Sequence, residues 1–138
     1  MRTARRSVLL AVAGWALLPV AALARLPLAA ADPDARLLAR LATFFAAPDS
    51  AAVLGAAYLR QVPEEAEAAS LVTRLFPGVA ATALERWSDG ALRTALARRL
   101  SEDFAQSRTV MLQGWVLSRS EARLFAAAAL AQGSIAAA

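Results

Sequence analysis

The chain of 138 residues contains no cysteine and no histidine, and all 15 of its basic residues are arginine because lysine is absent as well. Without cysteine, this chain can form no disulfide, thiolate metal site or haem attachment motif. Without histidine, cysteine and lysine, it cannot form the Ser-His, Cys-His or Ser-Lys arrangements of nucleophilic catalysis, or a lysine Schiff base. The six glycines are scattered singly, so a glycine-rich phosphate loop is missing. We therefore expect no enzyme, no cofactor and no metal site.

The N-terminal residues have the order that is typical of an export signal. Three arginines among the first six residues precede an apolar run from Val8 to Leu18, and Ala22-Leu23-Ala24 offers a small-x-small cleavage site. The sequence predicts a signal peptide over residues 1–24. A second small-residue site leaves open that cleavage falls as late as residue 31.

Two export routes are compatible with this leader. The pair Arg5-Arg6, followed by apolar residues, resembles a twin-arginine signal, in which the two arginines are read by the export machinery. In the general secretory route the same pair would supply only charge. Both routes predict a periplasmic or secreted bacterial protein that contacts the membrane only through its leader. The alternative is an uncleaved inner-membrane anchor, although the apolar run is shorter than the roughly 20 residues of a membrane span and meets Pro19.

Most of the net positive charge of the chain comes from the predicted leader. The net charge is +4, from 15 arginines and 11 acidic residues. Cleavage after Ala24 removes three arginines and leaves a net charge of +1, and cleavage after Ala31 removes one more and leaves zero. A nearly neutral domain has no electrostatic attraction for nucleic acid, so we expect no nucleic-acid partner.

The remaining chain reads as a series of short amphipathic helices. Proline, glycine or Ser-Asp breaks divide residues 32–131 into stretches whose apolar residues recur with helical spacing. Short connections favour antiparallel packing of neighbouring helices. We predict an all-α fold over residues 32–131: a single domain that is a compact bundle of about five or six short helices. Residues 132–138 are expected to form a frayed tail.

The acidic residues are expected to lie on helix surfaces. The densest cluster follows Pro63, at the predicted start of the third helix: Glu64, Glu65 and Glu67. Carboxylates in a first turn complement the positive end of the helix dipole, and we favour this role over a divalent-cation site. Glu102 and Asp103 are expected on a solvated face of the fifth helix. On that helix the apolar residues recur every four positions: Leu92, Leu96, Leu100 and Phe104.

The stretch before the last helix departs from the helical pattern. Thr109–Leu112 and Trp115–Leu117 are short apolar segments that flank Gln113-Gly114, which predicts a short extended turn region. Ser118 and Glu121 form an S-x-x-E capping box, in which the Ser118 hydroxyl accepts a hydrogen bond from the Glu121 amide. A helix is therefore predicted to begin at this cap.

Three residues are candidates for binding a partner: Trp87, Arg93 and Trp115. Tryptophan is enriched at the energetic centres of interfaces, but a large aromatic ring is also a common core residue. For Trp115 we favour a place at the centre of the core, whereas Trp87 is expected near the surface. Arg93 belongs to an arginine-rich stretch that would suit an acidic partner or lipid headgroups, or would form a solvated face paired with nearby acids.

Four segments near the C-terminus, together with the leader, form a further pattern: Asp103-Phe104-Ala105, Arg108-Thr109-Val110, Gly114-Trp115-Val116-Leu117-Ser118-Arg119 and Glu121-Ala122-Arg123-Leu124. This pattern loosely resembles small exported α-helical proteins with twin-arginine-like leaders, of the gluconate 2-dehydrogenase subunit 3 type. The resemblance implies a small subunit that helps a cofactor-loaded partner to mature or to cross the membrane and does not perform the redox step.

Two hypotheses about function follow. In the first, the chain is a non-catalytic exported small subunit or escort, and its partner is the large subunit of a periplasmic or membrane-bound oxidoreductase. In the second, it is a free-standing periplasmic helical domain that binds a small apolar ligand or has a structural role in the envelope. An exposed apolar patch would favour the first hypothesis, and a cavity lined by phenylalanine and leucine would favour the second.

Overall fold

The structure, a computed structural model, describes residues 32–133, and most of these residues are helical. Within them, six α-helices are joined by turns, by a 3₁₀ turn at Pro63–Glu65 and by two strands. The helices are α1 (Pro33–Ala42), α2 (Pro48–Gln61), α3 (Ala68–Leu75), α4 (Ala81–Leu84), α5 (Asp89–Ala105) and α6 (Arg119–Ala131). The strands are β1 (Thr109–Leu112) and β2 (Trp115–Ser118). The predicted leader with Arg5, Arg6 and both cleavage sites lies outside the described residues, as do residues 134–138 of the predicted tail.

The strands correct the prediction of a purely all-α fold. β1 and β2 pair as an antiparallel hairpin in which Leu112 lies opposite Trp115 and Thr109 opposite Ser118. The two residues between the strands have positive φ, 49° at Gln113 and 84° at Gly114, as a type I′ hairpin turn requires. The predicted extended segments and turn are therefore confirmed, and because their backbones pair, the region is a small sheet.

Proline sets the start of several elements. Pro33 and Pro48 are the first residues of α1 and α2, where the missing amide costs no helical hydrogen bond. Pro63 opens only the short 3₁₀ turn, and the next helix starts five residues later at Ala68. The predicted third helix is therefore shorter than expected, and the acidic cluster belongs to the turn before it, with Glu67 as the N-cap.

Helix α6 is the element around which the described residues pack. It contacts α1, α2, α3, α5 and both strands. Its inward face is mostly alanine, with five alanines that have no exposed surface, and these small side chains let neighbouring helices approach closely. The closest approach is at Gly55 of α2, where a Cβ atom would lie 1.9 Å from the carbonyl oxygen of Phe125. The largest fully buried side chains of the described residues are Tyr58 and eight leucines: Leu37, Leu38, Leu41, Leu71, Leu75, Leu84, Leu92 and Leu112.

Trp115 is not among the core residues, which corrects the prediction that its ring lies at the centre. The side chain is 69% exposed, whereas Leu112 on the opposite strand is fully buried. Trp115 is the first residue after the hairpin turn, at the end of the sheet that is farthest from the α6 cap at Ser118. The core is filled by leucines, by Tyr58 and by the alanines of α6, so it contains no space that needs an indole ring.

Candidate interaction surface at the hairpin

The β-hairpin exposes a group of large apolar side chains. Side chains alternate along a strand, so Met111 and Val116, which lie opposite each other, project from the same face. They are 61% and 57% exposed. Trp115, which lies opposite Leu112, projects from the other face at the turn end of the hairpin and is exposed there as well. We call these three residues, Met111, Trp115 and Val116, the hairpin tip. The other face of the hairpin packs against the helical core through Val110, Leu112 and Leu117.

The base of the hairpin is tied to the helices on both sides by hydrogen bonds. The Arg108 amide donates to the Asp103 carbonyl at 2.7 Å, and the Arg119 amide donates to the Arg108 carbonyl at 3.0 Å. Nearer the turn, Gln61 Nε2 donates to the Met111 carbonyl at 3.5 Å. These bonds join α5, α6 and the end of α2 to the hairpin, so the tip is presented on a supported element.

The carboxylate of Asp103 strengthens this base. The residue is 1% exposed, so the prediction that it lies on a solvated helix face is wrong. Its Oδ1 accepts from Arg108 Nε at 2.8 Å, and its Oδ2 accepts from the Ser120 amide at 2.7 Å. Burial alone would raise the pKa of Asp103, but the hydrogen bonds from Ser120 and Arg108 outweigh it and hold the pKa below its ordinary value. The carboxylate therefore stays charged and joins α5, the hairpin and α6.

The other two candidate residues lie elsewhere. Trp87 is half-buried and packs edge-on against Phe76, with ring centroids 6.4 Å apart. The guanidinium carbon of Arg93 lies 4.1 Å from the ring centroid of Phe44. Among residues 32–133, no hydrogen bond, ion pair or ring contact joins any two of Trp87, Arg93 and Trp115. The structure therefore places the three candidates at three separate positions, and of the three only Trp115 belongs to the exposed hairpin tip.

A buried ionic cluster, which the sequence analysis did not single out, joins α2, the 3₁₀ turn and α6. Glu65 accepts a hydrogen bond from the Tyr58 hydroxyl at 2.7 Å. The same carboxylate accepts two bonds from Arg123, from Nε at 3.0 Å and from Nη2 at 2.8 Å. Arg74 approaches from the solvent side at 3.4 Å. Glu65 therefore does not lie in the first turn of the third helix, as the sequence predicted, but in the 3₁₀ turn before it, where it is buried among its partners.

The cluster changes the acidity of its members. Burial would raise the pKa of Glu65, but hydrogen bonds from Arg123 and Tyr58 and the charges of Arg123 and Arg74 outweigh it and lower the pKa. Burial and then the hydrogen bond to Glu65 raise the pKa of Tyr58 to about 12. Tyr58 therefore stays protonated and Glu65 stays ionised at neutral pH, which is the arrangement of a structural cross-link. One sequence signal could have found it: Arg123 interrupts the alanine-rich face that contains Ala122, Ala126 and Ala127.

Two features of the described residues bear on metal binding and membrane insertion. Between residues 32 and 133, acidic side chains do not come together in groups of three that could hold a metal ion. In the same part of the chain, no helix combines the length and the apolar character that a membrane crossing requires.

Comparison of the chain with protein-family models, curated proteins and solved structures finds no match. The resemblance to dehydrogenase small subunits therefore stays a prediction.

Proposed function

We propose that this chain is a non-catalytic interaction protein, an exported small subunit or escort of a periplasmic or membrane-bound oxidoreductase, and that it binds its partner through the hairpin tip. The observation that carries the proposal is the exposure of three large apolar side chains at the turn end of a supported hairpin, Met111 and Val116 on one face and Trp115 on the other. Tryptophan and methionine are enriched in protein interfaces, and a tryptophan that is buried on binding often supplies much of the affinity.

The choice of partner rests on the sequence. The twin-arginine-like leader and the segments around the hairpin resemble the small subunits of membrane-bound dehydrogenases. The absence of histidine, cysteine and lysine supports a role that is not catalytic. The hairpin overlaps the resembling segments, which include Trp115 and Val116 of the hairpin tip, so the exposed residues and the resemblance point to the same part of the chain.

A co-purification experiment tests this proposal. The exported protein is isolated with an affinity tag from the periplasm of its own producing organism, and flavin or haem absorbance and mass spectrometry measure any oxidoreductase subunit bound to it. We expect a redox subunit in a fixed ratio to the wild-type chain, and at least about a tenfold loss in the Trp115→Ser variant, since a central interface tryptophan is worth ~2 kcal/mol or more.

Val53→Ser is the matched control. Val53 is also an exposed apolar residue, but it lies on α2, outside the hairpin tip. Both substitutions should change the free energy of unfolding by less than about 0.5 kcal/mol because both side chains are exposed. The proposal is wrong if no redox subunit co-purifies with the wild-type chain, or if Trp115→Ser retains its partner as well as Val53→Ser does.

A second candidate function is the binding of a small apolar ligand, and one feature favours it. An apolar cleft of about 260 Å³ opens between the end of α1, α5 and α6, with Phe44, Leu100 and Leu124 in its lining. The cleft is open on one side. A ligand there would leave the hairpin tip available, so the two functions are compatible.

A further inference from the structure

The apolar cleft has one charged residue. Its lining comes from three helices and the turn after α1, and every lining residue except Arg93 is apolar. Leu41 and Phe44 form one wall, Leu96 and Leu100 of α5 another, and Leu124 of α6 completes it. A ligand that fits this cleft would bury an apolar body and place a polar group beside a single guanidinium.

Arg93 is held in a position that suits an anion. Its guanidinium carbon lies 4.1 Å from the centroid of the Phe44 ring, a cation–π contact with an aromatic residue that also lines the cleft. The nearest acid on its own helix face is Asp89, four residues earlier, and Asp89 is bonded to Arg40 at 2.6 and 2.8 Å. Within residues 32–133, no carboxylate lies within ion-pair distance of Arg93.

We propose that this cleft binds a straight-chain carboxylate of about eight carbons, with its alkyl tail against the leucine and phenylalanine side chains and its carboxylate paired with Arg93. This inference deepens the second candidate function and does not depend on the hairpin tip. The volume of the cleft sets the length of the ligand. If each methylene or carboxylate group occupies about 30 Å³, the volume of a water molecule in the liquid, the cleft of about 260 Å³ holds roughly eight or nine such groups.

The chemistry of the cleft predicts how affinity depends on the ligand. Each methylene group that becomes buried should strengthen binding by a factor of about 4, until the cleft is full. A planar carboxylate can accept two parallel N–H donors from a guanidinium, whereas an alcohol accepts less strongly and a quaternary ammonium is repelled. Affinity should therefore rise from butanoate to octanoate and then level off at longer chains.

Titration calorimetry with sodium octanoate, supported by amide NMR shifts, tests the site in the full chain. We expect saturable binding of one octanoate per chain, with shifts at Ala97 and Leu124 in the cleft and none at the hairpin tip. Octyltrimethylammonium, which has the same tail and the opposite charge, should bind at least about tenfold more weakly. Equal binding of the two probes, or octanoate shifts only outside the cleft, would overturn the proposal.

Four variants separate the contribution of the alkyl tail from that of the carboxylate. Arg93→Gln should weaken octanoate binding about tenfold or more, and Arg93→Lys should weaken it less because it keeps the charge. Arg98→Gln, on the same helix but outside the cleft, is the matched control and should bind like the wild type. Ala97→Phe should block the cleft without removing a core contact, because Ala97 is exposed. Wild-type affinity in Arg93→Gln or in Ala97→Phe would contradict the assignment. None of these variants should affect co-purification of a redox partner, so the two proposals fail separately.

Discussion

At the scale of single residues, the carboxylate of Glu65 has the greatest effect on its surroundings. It neutralises Arg123, which is itself buried, and it accepts a hydrogen bond from the Tyr58 hydroxyl. A buried arginine that loses its carboxylate keeps its charge in a poorly solvating environment, and this is more costly than the loss of an exposed ion pair. The cluster therefore fixes the 3₁₀ turn against α6.

Glu65→Gln should lower the free energy of unfolding by about 3 kcal/mol, because the glutamine keeps the shape of the side chain but leaves Arg123 uncompensated. Glu64→Gln is the matched control, since Glu64 is the exposed neighbour in the same turn and should cost less than about 0.5 kcal/mol. Urea denaturation of both variants measures the difference. Equal stability of the two variants would mean that Arg123 does not need Glu65.

Tyr58 is the only tyrosine in the chain, so its ionisation can be followed without interference from other tyrosines. We expect the tyrosinate absorbance near 295 nm to appear with a midpoint near pH 12 in the folded protein, against an ordinary value of about 10. The same titration in denaturant provides the reference. A folded-state midpoint near 10 would show that the hydroxyl is neither buried nor bonded to Glu65.

At the scale of secondary structure, the start of α6 is held by hydrogen bonds that its first three amides donate. The amides of Arg119, Ser120 and Glu121 donate to the Arg108 carbonyl, the Asp103 carboxylate and the Ser118 hydroxyl, respectively. The amides of a first helical turn have no partner within their own helix. The predicted Ser118 cap is therefore confirmed, and it is one of three bonds that link α6 to the hairpin and α5.

Ser118→Ala should lower the free energy of unfolding by about 1 kcal/mol, the usual effect of a lost N-cap. Asp103→Asn should lower it by about 2 kcal/mol, because it weakens a charge-assisted bond to Ser120 and removes the charge that pairs with Arg108. Glu102→Gln is the control on the same helix. If Asp103→Asn proves as mild as Glu102→Gln, the buried carboxylate does not stabilise this junction.

The crossing of α2 and α6 depends on Gly55, which allows close contact of the two backbones. Gly55→Ala should lower the free energy of unfolding by about 3 kcal/mol, at the upper end of the usual cost of overpacking, because the new methyl group meets a carbonyl of α6 and not a movable side chain. Gly90→Ala is the matched control: its new Cβ meets nothing closer than 3.9 Å, so it should be neutral or stabilising by roughly 0.4–1 kcal/mol. Thermal unfolding of the two variants measures the contrast.

Elements whose partners lie close in sequence could be predicted. The extended segments of the hairpin and the Ser118 cap were predictable for this reason, since their partners are only a few residues away. Helix α5 shows where such prediction fails. Each residue advances about 100° around a helix, so Asp103 lies only about 20° from Leu92, whereas Phe104 lies about 120° away. Residues spaced four apart therefore rotate gradually away from the buried face of the helix. As a result Phe104 is 51% exposed, whereas Asp103 is buried.

The candidate site could be predicted only in part, because its exposure and its supporting contacts depend on residues that are distant in sequence. Trp115 was identified as a candidate for partner binding, but its exposure depends on the hairpin reaching past the core, which neighbouring residues do not reveal. The sequence predicts Glu65 in the first turn of a helix and gives no sign of its ion pair, because its main partner, Arg123, lies 58 residues away. Contacts over such separations depend on how the helices pack, and helical periodicity alone does not specify them.

At the scale of the whole molecule, the two buried carboxylates make stability depend on pH in acid. The pKa values of Glu65 and Asp103 are lower in the folded chain than their ordinary values of about 4 in an unfolded one. A depressed carboxyl pKa contributes stability that is fully present above the unfolded value and is lost as the pH falls through the folded value. The loss should therefore begin near pH 4 and continue below it.

Urea unfolding at a series of pH values checks this dependence. We expect a free energy of unfolding that is nearly constant from about pH 7 to pH 5 and then falls, with each of the two carboxylates contributing at most about 1.4 kcal/mol per pH unit. Glu65→Gln and Asp103→Asn should each make the acid slope shallower, since each removes one titrating group, whereas Glu64→Gln should keep the wild-type slope. A stability that stays flat, or that rises, between pH 5 and pH 3 would contradict this account. It would mean that the two carboxylates gain no net stabilisation from their ionic partners in the folded protein.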